Sequence, residues 1–251
     1  MAKSQLTEDQ QGLAPADVPK PDVQVWSISI EDVFRNSDQR LDASHYDLEL
    51  AAALRELKDS GFPLVPLSEL AELHLPGMFT RIWADDNKYG IEYINATELM
   101  SLAGLGVPSS SQRYLSKQTD TNIDSLLVRE GWLLLTCSGT IGRVFYVSKR
   151  LHLWAATHDI IRIIPKKEIH TGFLYAYLSS EVAQKQILSH THGGQIDHIT
   201  DVQISKILVP DFGSAKIKKI HEQTMSALYM REQAIQELHQ VGKIVESTLK
   251  K

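Results

Sequence analysis

The sequence predicts an α+β protein: a globular domain with a strand-rich core and short helices, followed by one long C-terminal coiled-coil helix. Three observations predict it. Residues 91–95, 132–137, 144–147 and 160–164 are short apolar or β-branched runs bounded by Gly, Pro and polar clusters, as strands are. Segments with a helical apolar period lie before and after them. Beyond residue 214 the chain has no proline, and its apolar residues recur at spacings of three, four and seven.

Composition bounds the class. A hydrophobic share of 43% and a charged share of 23% are ordinary for a globular protein. No apolar run approaches the roughly 20 residues of a membrane helix. The N-terminus has no apolar stretch of the secretory type, so a cytoplasmic protein with no membrane partner is expected. Cys137 is the sole cysteine, which excludes an internal disulfide and a cysteine-rich metal site. The net charge of −5 argues mildly against indiscriminate nucleic-acid binding. It hides an asymmetry: residues 1–34 carry two Lys/Arg against six Asp/Glu, whereas residues 112–170 carry nine against five. A basic face on an acidic protein still meets phosphate, because the field acts within about 8–10 Å. Scattered, solvated lysines are the plain alternative.

Taken in order, residues 1–25 are polar and proline-bearing and read as a flexible arm. The domain spans 26–212, opening on an alternating, strand-like run at 26–30. Ser44 caps a helix over 45–59 whose apolar face holds Tyr46, Leu48, Leu50, Ala53, Leu54 and Leu57, and Gly61 stops it. Ser68 starts a second short helix over 69–74, and 75–81 is a loop. Residues 105–124 form a long polar loop, of the kind that is functional or disordered. Residues 172–186 read as one helix, and 204–209 as a closing strand. The tail, 213–251, carries Ile217, Ile220, Thr224, Leu228, Ile235, Leu238, Val245 and Leu249 in its stripe, with Arg231 inside it and Ala227, Ala234 and Val241 widening it. About 36 residues at ~1.5 Å each make a rod of roughly 54 Å. Such a rod either folds back on its own domain or pairs with a second copy, and the second is favoured.

Candidate chemistry is sparse. Ser138-Gly139-Thr140 lacks the glycine of a hydrolase elbow, because Thr136 stands two residues before Ser138. Small hydroxyl residues there suit a tight turn or contact with phosphate and base edges. Asp22 with Glu56 and Lys58 matches a nuclease pattern only loosely. His190, His192 and His198 with Asp197 and Asp201 fit no standard zinc spacing. In the same stretch, Gln195 suits adenine, which a Gln side chain can bond in a bidentate way. There is no methyltransferase tetrapeptide, no Gly-rich cofactor loop after a strand and no phosphate-binding loop. No cofactor and no metal are expected, and a binding module is favoured over an enzyme. A metal-dependent nuclease and a protein-interaction scaffold are the alternatives.

The order of motifs resembles one half of the specificity (S) subunit of a type I restriction-modification system. Residues 40–46 (RLDASHY) resemble the segment that precedes its target recognition domain, and 64–72 (LVPLSELAE) the short helix that opens it. Residues 126–142 (LLVREGWLLLTCSGTIG) resemble its strand and S-G-T-I-G turn. Residues 193–199 and 204–210 resemble its closing glycine turn and proline-ended strand, and the tail resembles its spacer helix. Three departures stand out. There is one recognition domain and one helix where the family has two of each. Trp132 stands where an acidic residue is usual. Cys137 stands where a basic one is common.

The resemblance implies a non-catalytic DNA reader. Loops would enter the major groove of double-stranded DNA while Lys and Arg fix the register on phosphates. It implies contacts from Thr80, Arg81, Lys88, Ser110, Gln112, Arg113, Ser138, Thr140, Arg143, His192 and Gln195. It implies a DNA adenine methyltransferase (M) subunit as partner, in some systems a restriction (R) subunit, and a homodimer through the C-terminal helix that reads a bipartite site. The ~54 Å rod corresponds to about 16 base pairs at ~3.4 Å each.

Overall fold

The computed structural model describes residues 27, 29–35, 48–103, 113–190 and 198–249. Contacts divide the chain into two units, Met1–Leu41 and Asp42–Lys251. In the first, α1 (Ile30–Arg35) presents Ile30 and Phe34 to solvent. The strand expected over 26–30 is not found where that stretch is described, and Trp26 and Ile28 lie outside the described residues. Ile30, Val33 and Phe34 are spaced three and four apart, which is helical spacing, and Ser27 and Ser29 belong to no strand.

The second unit contains α2 (Leu48–Asp59), β1 (Leu64–Pro66), the one-turn α3 (Leu67–Leu70), β2 (Ala71–His74), β3 (Trp83–Ala84), β4 (Gly90–Ile94) and α4 (Ala96–Ala103). It continues with β5 (Arg113–Ser116), β6 (Leu133–Thr136), β7 (Val144–Tyr146), β8 (Ala155–Ala156) and β9 (Ile160–Pro165). It ends with α5 (Glu168–Leu178), α6 (Glu181–Ser189), α7 (Asp201–Ser205), β10 (Leu208–Pro210) and α8 (Ser214–Leu249).

Two four-stranded sheets carry the domain. One is antiparallel, in the order β2-β9-β6-β7; the other runs β3-β5-β4-β8, with β4 and β8 parallel. β1 and β10 pair separately, Val65 opposite Val209. Strand β6 reads as an unbroken apolar run because both its faces are covered. Leu133, Leu135 and Cys137 point into the larger core, with Ile161, Ile163, Phe173, Leu174, Ile204 and Val209. Leu134 points the other way, against Ile94, Leu99, Val128, Phe145 and Ile160. Trp132, the departure noted in the sequence, is half-buried against this second core, and its carbonyl accepts from Val147 N at 2.9 Å.

Several boundaries differ from the expectation, each for a local reason. The helix expected over 69–74 is a single turn that gives way to β2, because Ala71–His74 pair with Pro165–Arg162 of β9. The helix expected over 172–186 breaks at Ser179-Ser180. The Ser180 hydroxyl accepts from Ala183 N and starts α6, while Tyr177 OH and Gln186 Nε2 together tie the two helices to Leu208 O of β10. Ile204 lies in α7 rather than in a closing strand, because Thr200 and Gln203 form a reciprocal capping box. Arg113, placed in the long polar loop, opens strand β5, paired to Tyr93 of β4. The helix over 45–59 is described from Leu48; Leu50, Ala53 and Leu57 are buried as expected, and Ser44 and Tyr46 lie outside the described residues.

Helix α8 lies along α5 for its first part. Gly172 lets them meet: a Cβ there would stand 2.7 Å from His221 O. Ile217, Leu228 and Ile235 are buried, whereas from Gln236 onward every residue to Leu249 is exposed. No helix among the described residues is long and apolar enough to cross a membrane.

Candidate nucleic-acid interface

A groove of about 420 Å³ opens between the two sheets. One wall comes from β3, β4 and β5 with Trp83, Tyr93 and Arg113. The other comes from the end of β6 and its turn, with Thr136, Ser138, Gly139 and Thr140. Asn95, Thr97 and Met100 at the start of α4 close one side, and Arg81, Thr157 and Asp159 complete the lining.

The turn is held by its own polar groups. The buried Thr136 hydroxyl donates to Thr140 O and accepts from Arg143 N at 3.0 Å, and Gly142 N donates to Thr136 O at 3.0 Å. Gly142 needs its φ of +85°, and a Cβ there would also stand 2.8 Å from Gln184 Oε1. The turn meets the segment after the glycine pair: Ser138 bridges His198, and Ile199 N donates to Cys137 O at 3.1 Å. Two stretches far apart in sequence thus adjoin at the groove.

Arg81 is held by three neighbours. Its guanidinium donates to Tyr93 OH at 2.9 Å and Thr157 Oγ1 at 3.0 Å, and lies 3.7 Å from Asp159 Oδ2. Arg113 is freer. Its side chain is 54% exposed, stacked 5.5 Å over the Trp83 ring and 4.0 Å from Glu98 Oε1. An ion pair so long and open contributes little to stability. Glu98 has a second duty: its carboxylate accepts from Asn95 N while Asn95 Oδ1 accepts from Glu98 N, a reciprocal cap that sets α4 at the groove edge.

Behind the groove stands Arg162 of β9, fully buried. Among the described residues it has no carboxylate partner; its guanidinium donates to the carbonyls of Leu126, Ala156, Thr157 and Ile160. Burial pulls it down to about 10, so it stays charged at neutral pH. These bonds pin the 156–160 segment, which carries Thr157 and Asp159 to Arg81. His158, beside Asp159, is held below the usual histidine range by burial, against the opposing pull of Asp159. Cys137 is inert: burial first, then the Asp159 charge, pushes its thiol up to about 12.

The groove gathers Arg81, Arg113, Ser138 and Thr140 of the residues expected from the sequence. Thr80 is exposed just outside it, and Lys88 sits on the β3–β4 turn over the Tyr89 ring. Arg143 lines a neighbouring cleft. Ser110, Gln112, His192 and Gln195 lie outside the described residues. Sequence reasoning missed Tyr93, Asn95, Thr157, Asp159 and Arg162. Only two of these had a local signal: Asn95-x-x-Glu98 is a capping pattern, and Arg162 interrupts an otherwise apolar strand. Among the described residues no three His, Cys, Asp or Glu side chains group as metal ligands, and His192 and Asp197 of the histidine cluster lie outside those residues.

The groove presents donors and acceptors of both kinds, with two guanidiniums. That combination can hold a phosphate and discriminate base edges, where a purely basic surface would only hold.

Comparison with known proteins gives the context. A type I restriction-modification S subunit from M. genitalium is 16% identical, with a TM-score of 0.47, over 76% of this chain and 43% of that one. The HsdS subunit from Thermoanaerobacter tengcongensis is 15% identical, with a TM-score of 0.44, over 87% of this chain and 54% of that one. A chain from a study of complex assembly and conformational transition in the type I R-M system is 16% identical, with a TM-score of 0.48, over 88% of this chain and 53% of that one. The chain therefore spans about half the length of these structures. No curated protein sequence matches it. The family described as type I restriction modification DNA specificity domain matches residues 60–237, most of the chain and nearly all of the groove-bearing unit, and the chain belongs to that family.

Proposed function

We propose that this chain is a non-catalytic reader of duplex DNA that aims a partner adenine methyltransferase, and in some assemblies a restriction subunit, at its site. The observation that carries the reading is the groove: within the family's matched span, Arg81, Arg113, Asn95, Ser138, Thr140 and Asp159 line one opening. Residues 26–212 act as the target recognition domain and 213–251 as the spacer helix. The test is anisotropy of a labelled duplex pool with wild-type protein and Arg113→Gln. Wild-type binding that the substitution weakens severalfold supports the reading. No binding by the wild type, or cleavage of the DNA by the chain alone with Mg²⁺, overturns it.

A second part of the proposal concerns α8. Thr224, Ala227, Ala234, Leu238, Val241 and Val245 recur at spacings of three, four and seven, a seam that lies beside the stripe packed on α5. Its outer part, Leu238 to Val245, is exposed. This arrangement favours an antiparallel pair with a second copy, which would place two grooves on one bipartite site. Light scattering tests it: wild-type dimers that Leu238→Asp converts to monomers support the pairing, and a monomeric wild type contradicts it.

A further inference from the structure

We infer that a second cleft, beside the groove, is a phosphodiester subsite built jointly by the domain and α8, with Arg143 and Arg231 as its two cations. The inference rests on the DNA-reading proposal above and deepens it.

The cleft measures about 460 Å³, and its lining includes Arg143, Arg231, Tyr175 and Gln184 but no carboxylate. Neither arginine has an acidic partner within 4.0 Å among the described residues. The nearest candidate in sequence, Glu232, is engaged elsewhere: its Oε1 lies 2.7 Å from Arg150 Nε, with both side chains only about one-fifth exposed, at 19% and 23%. Arg231 reaches Tyr175 OH only at 3.5 Å, which leaves most of its donors free. Gln184 is committed to Gly142 O and Leu178 O, so it shapes the wall and leaves the cations as the available donors.

The cleft contrasts with its neighbour. In the groove, Asp159 offsets Arg81; in the cleft, no carboxylate among the described residues offsets the two cations. A site of that charge selects anions and carries no base code, which is the requirement for holding a backbone phosphate. Position matches. Met100 lines both cavities, and Arg143 ends the same turn whose Ser138 and Thr140 line the groove. A duplex whose base edges face the groove would lay its backbone along this turn and onto the cleft. Arg231 lies on α8, so the helix itself would hold DNA and fix its own angle to the duplex.

The experiment measures duplex affinity against KCl for the full chain, wild type and variants, by anisotropy. Arg143→Gln and Arg231→Gln should each lower the slope of log K against log salt by about one, equally on unrelated sequences, and the pair together by about two. Lys243→Gln, on the exposed end of α8, should leave the slope unchanged. Sedimentation of the same samples should show an unaltered oligomeric state. Unchanged slopes in the arginine variants, an equal loss in Lys243→Gln, or a loss that tracks a change of oligomer would each overturn the subsite. If those slopes hold while Arg113→Gln still weakens binding, the subsite fails and the reader stands; if the wild type ignores duplex DNA, both fail. Inorganic phosphate should compete no better than a chloride solution of matched ionic strength, and stronger competition would reassign the cleft to a small anion.

Discussion

Helix α8 is one continuous element with two unlike stretches. From Ser214 to Ile235 it lies on α5 and buries Ile217, Leu228 and Ile235; from Gln236 to Leu249 it touches no core, and Leu238, Val241, Ile244, Val245 and Leu249 are all exposed. The apolar spacing is the same in both. The difference teaches that periodicity reports a helix with a face to cover and leaves open what covers it. In the first stretch the domain supplies the cover, through the close approach at Gly172. In the second, the proposed cover is another copy.

Substitutions that break this contrast should differ in size. Leu228→Ala removes a side chain that is 6% exposed and should cost about 2–5 kcal/mol of unfolding free energy in urea titrations. A loss under 1 kcal/mol would mean the packed stretch is only resting on α5. Gly172→Ala should cost about 1–3 kcal/mol, because its Cβ would meet backbone, which cannot swing aside. Leu238→Ala should leave monomer stability within about 0.5 kcal/mol while weakening self-association, measured on one sample by denaturation and sedimentation. A large stability loss there would show that the outer stretch is held by its own domain.

The smallest expected effect is of pH. Burial holds His170, at the start of α5, below the ordinary histidine value of 6.5, with a lesser opposing effect from its bond to Leu70 O. The folded state therefore resists protonation that the unfolded chain accepts. The stabilising contribution is complete above about pH 6.5 and is lost as pH falls through the window beneath it. Urea midpoints at pH 7 and below 6 should differ in that sense, and His170→Gln should narrow the difference.

How much was legible follows from the range of the signal. The α+β class, the strands around Leu133–Thr136 and Ile160–Pro165, and the long terminal helix all follow from local periodicity. So did the turn at Ser138, because three small residues after an apolar run have few other uses. The break at Ser179-Ser180 falls inside a stretch that the sequence presents as one helical pattern over 172–186. Tertiary bonds from Tyr177 and Gln186 to Leu208 accompany it, and no local pattern carries those. The groove was half legible. Arg81 and Arg113 were expected from the resemblance as loop contacts, but Asp159 and Arg162 come to it across sheet pairings invisible in one dimension. Arg162 is the sharpest case: a charge in an apolar strand looks misplaced until four carbonyls are seen around it.

The central claim is that the groove reads sequence. The most direct measurement is selection from a randomised duplex library by the purified chain, followed by sequencing, in parallel with Asp159→Asn and Arg113→Gln. The account predicts enrichment of one short motif by the wild type, altered at a subset of positions by Asp159→Asn and flattened by Arg113→Gln. Binding that enriches no motif would contradict it, and so would the same motif surviving both substitutions.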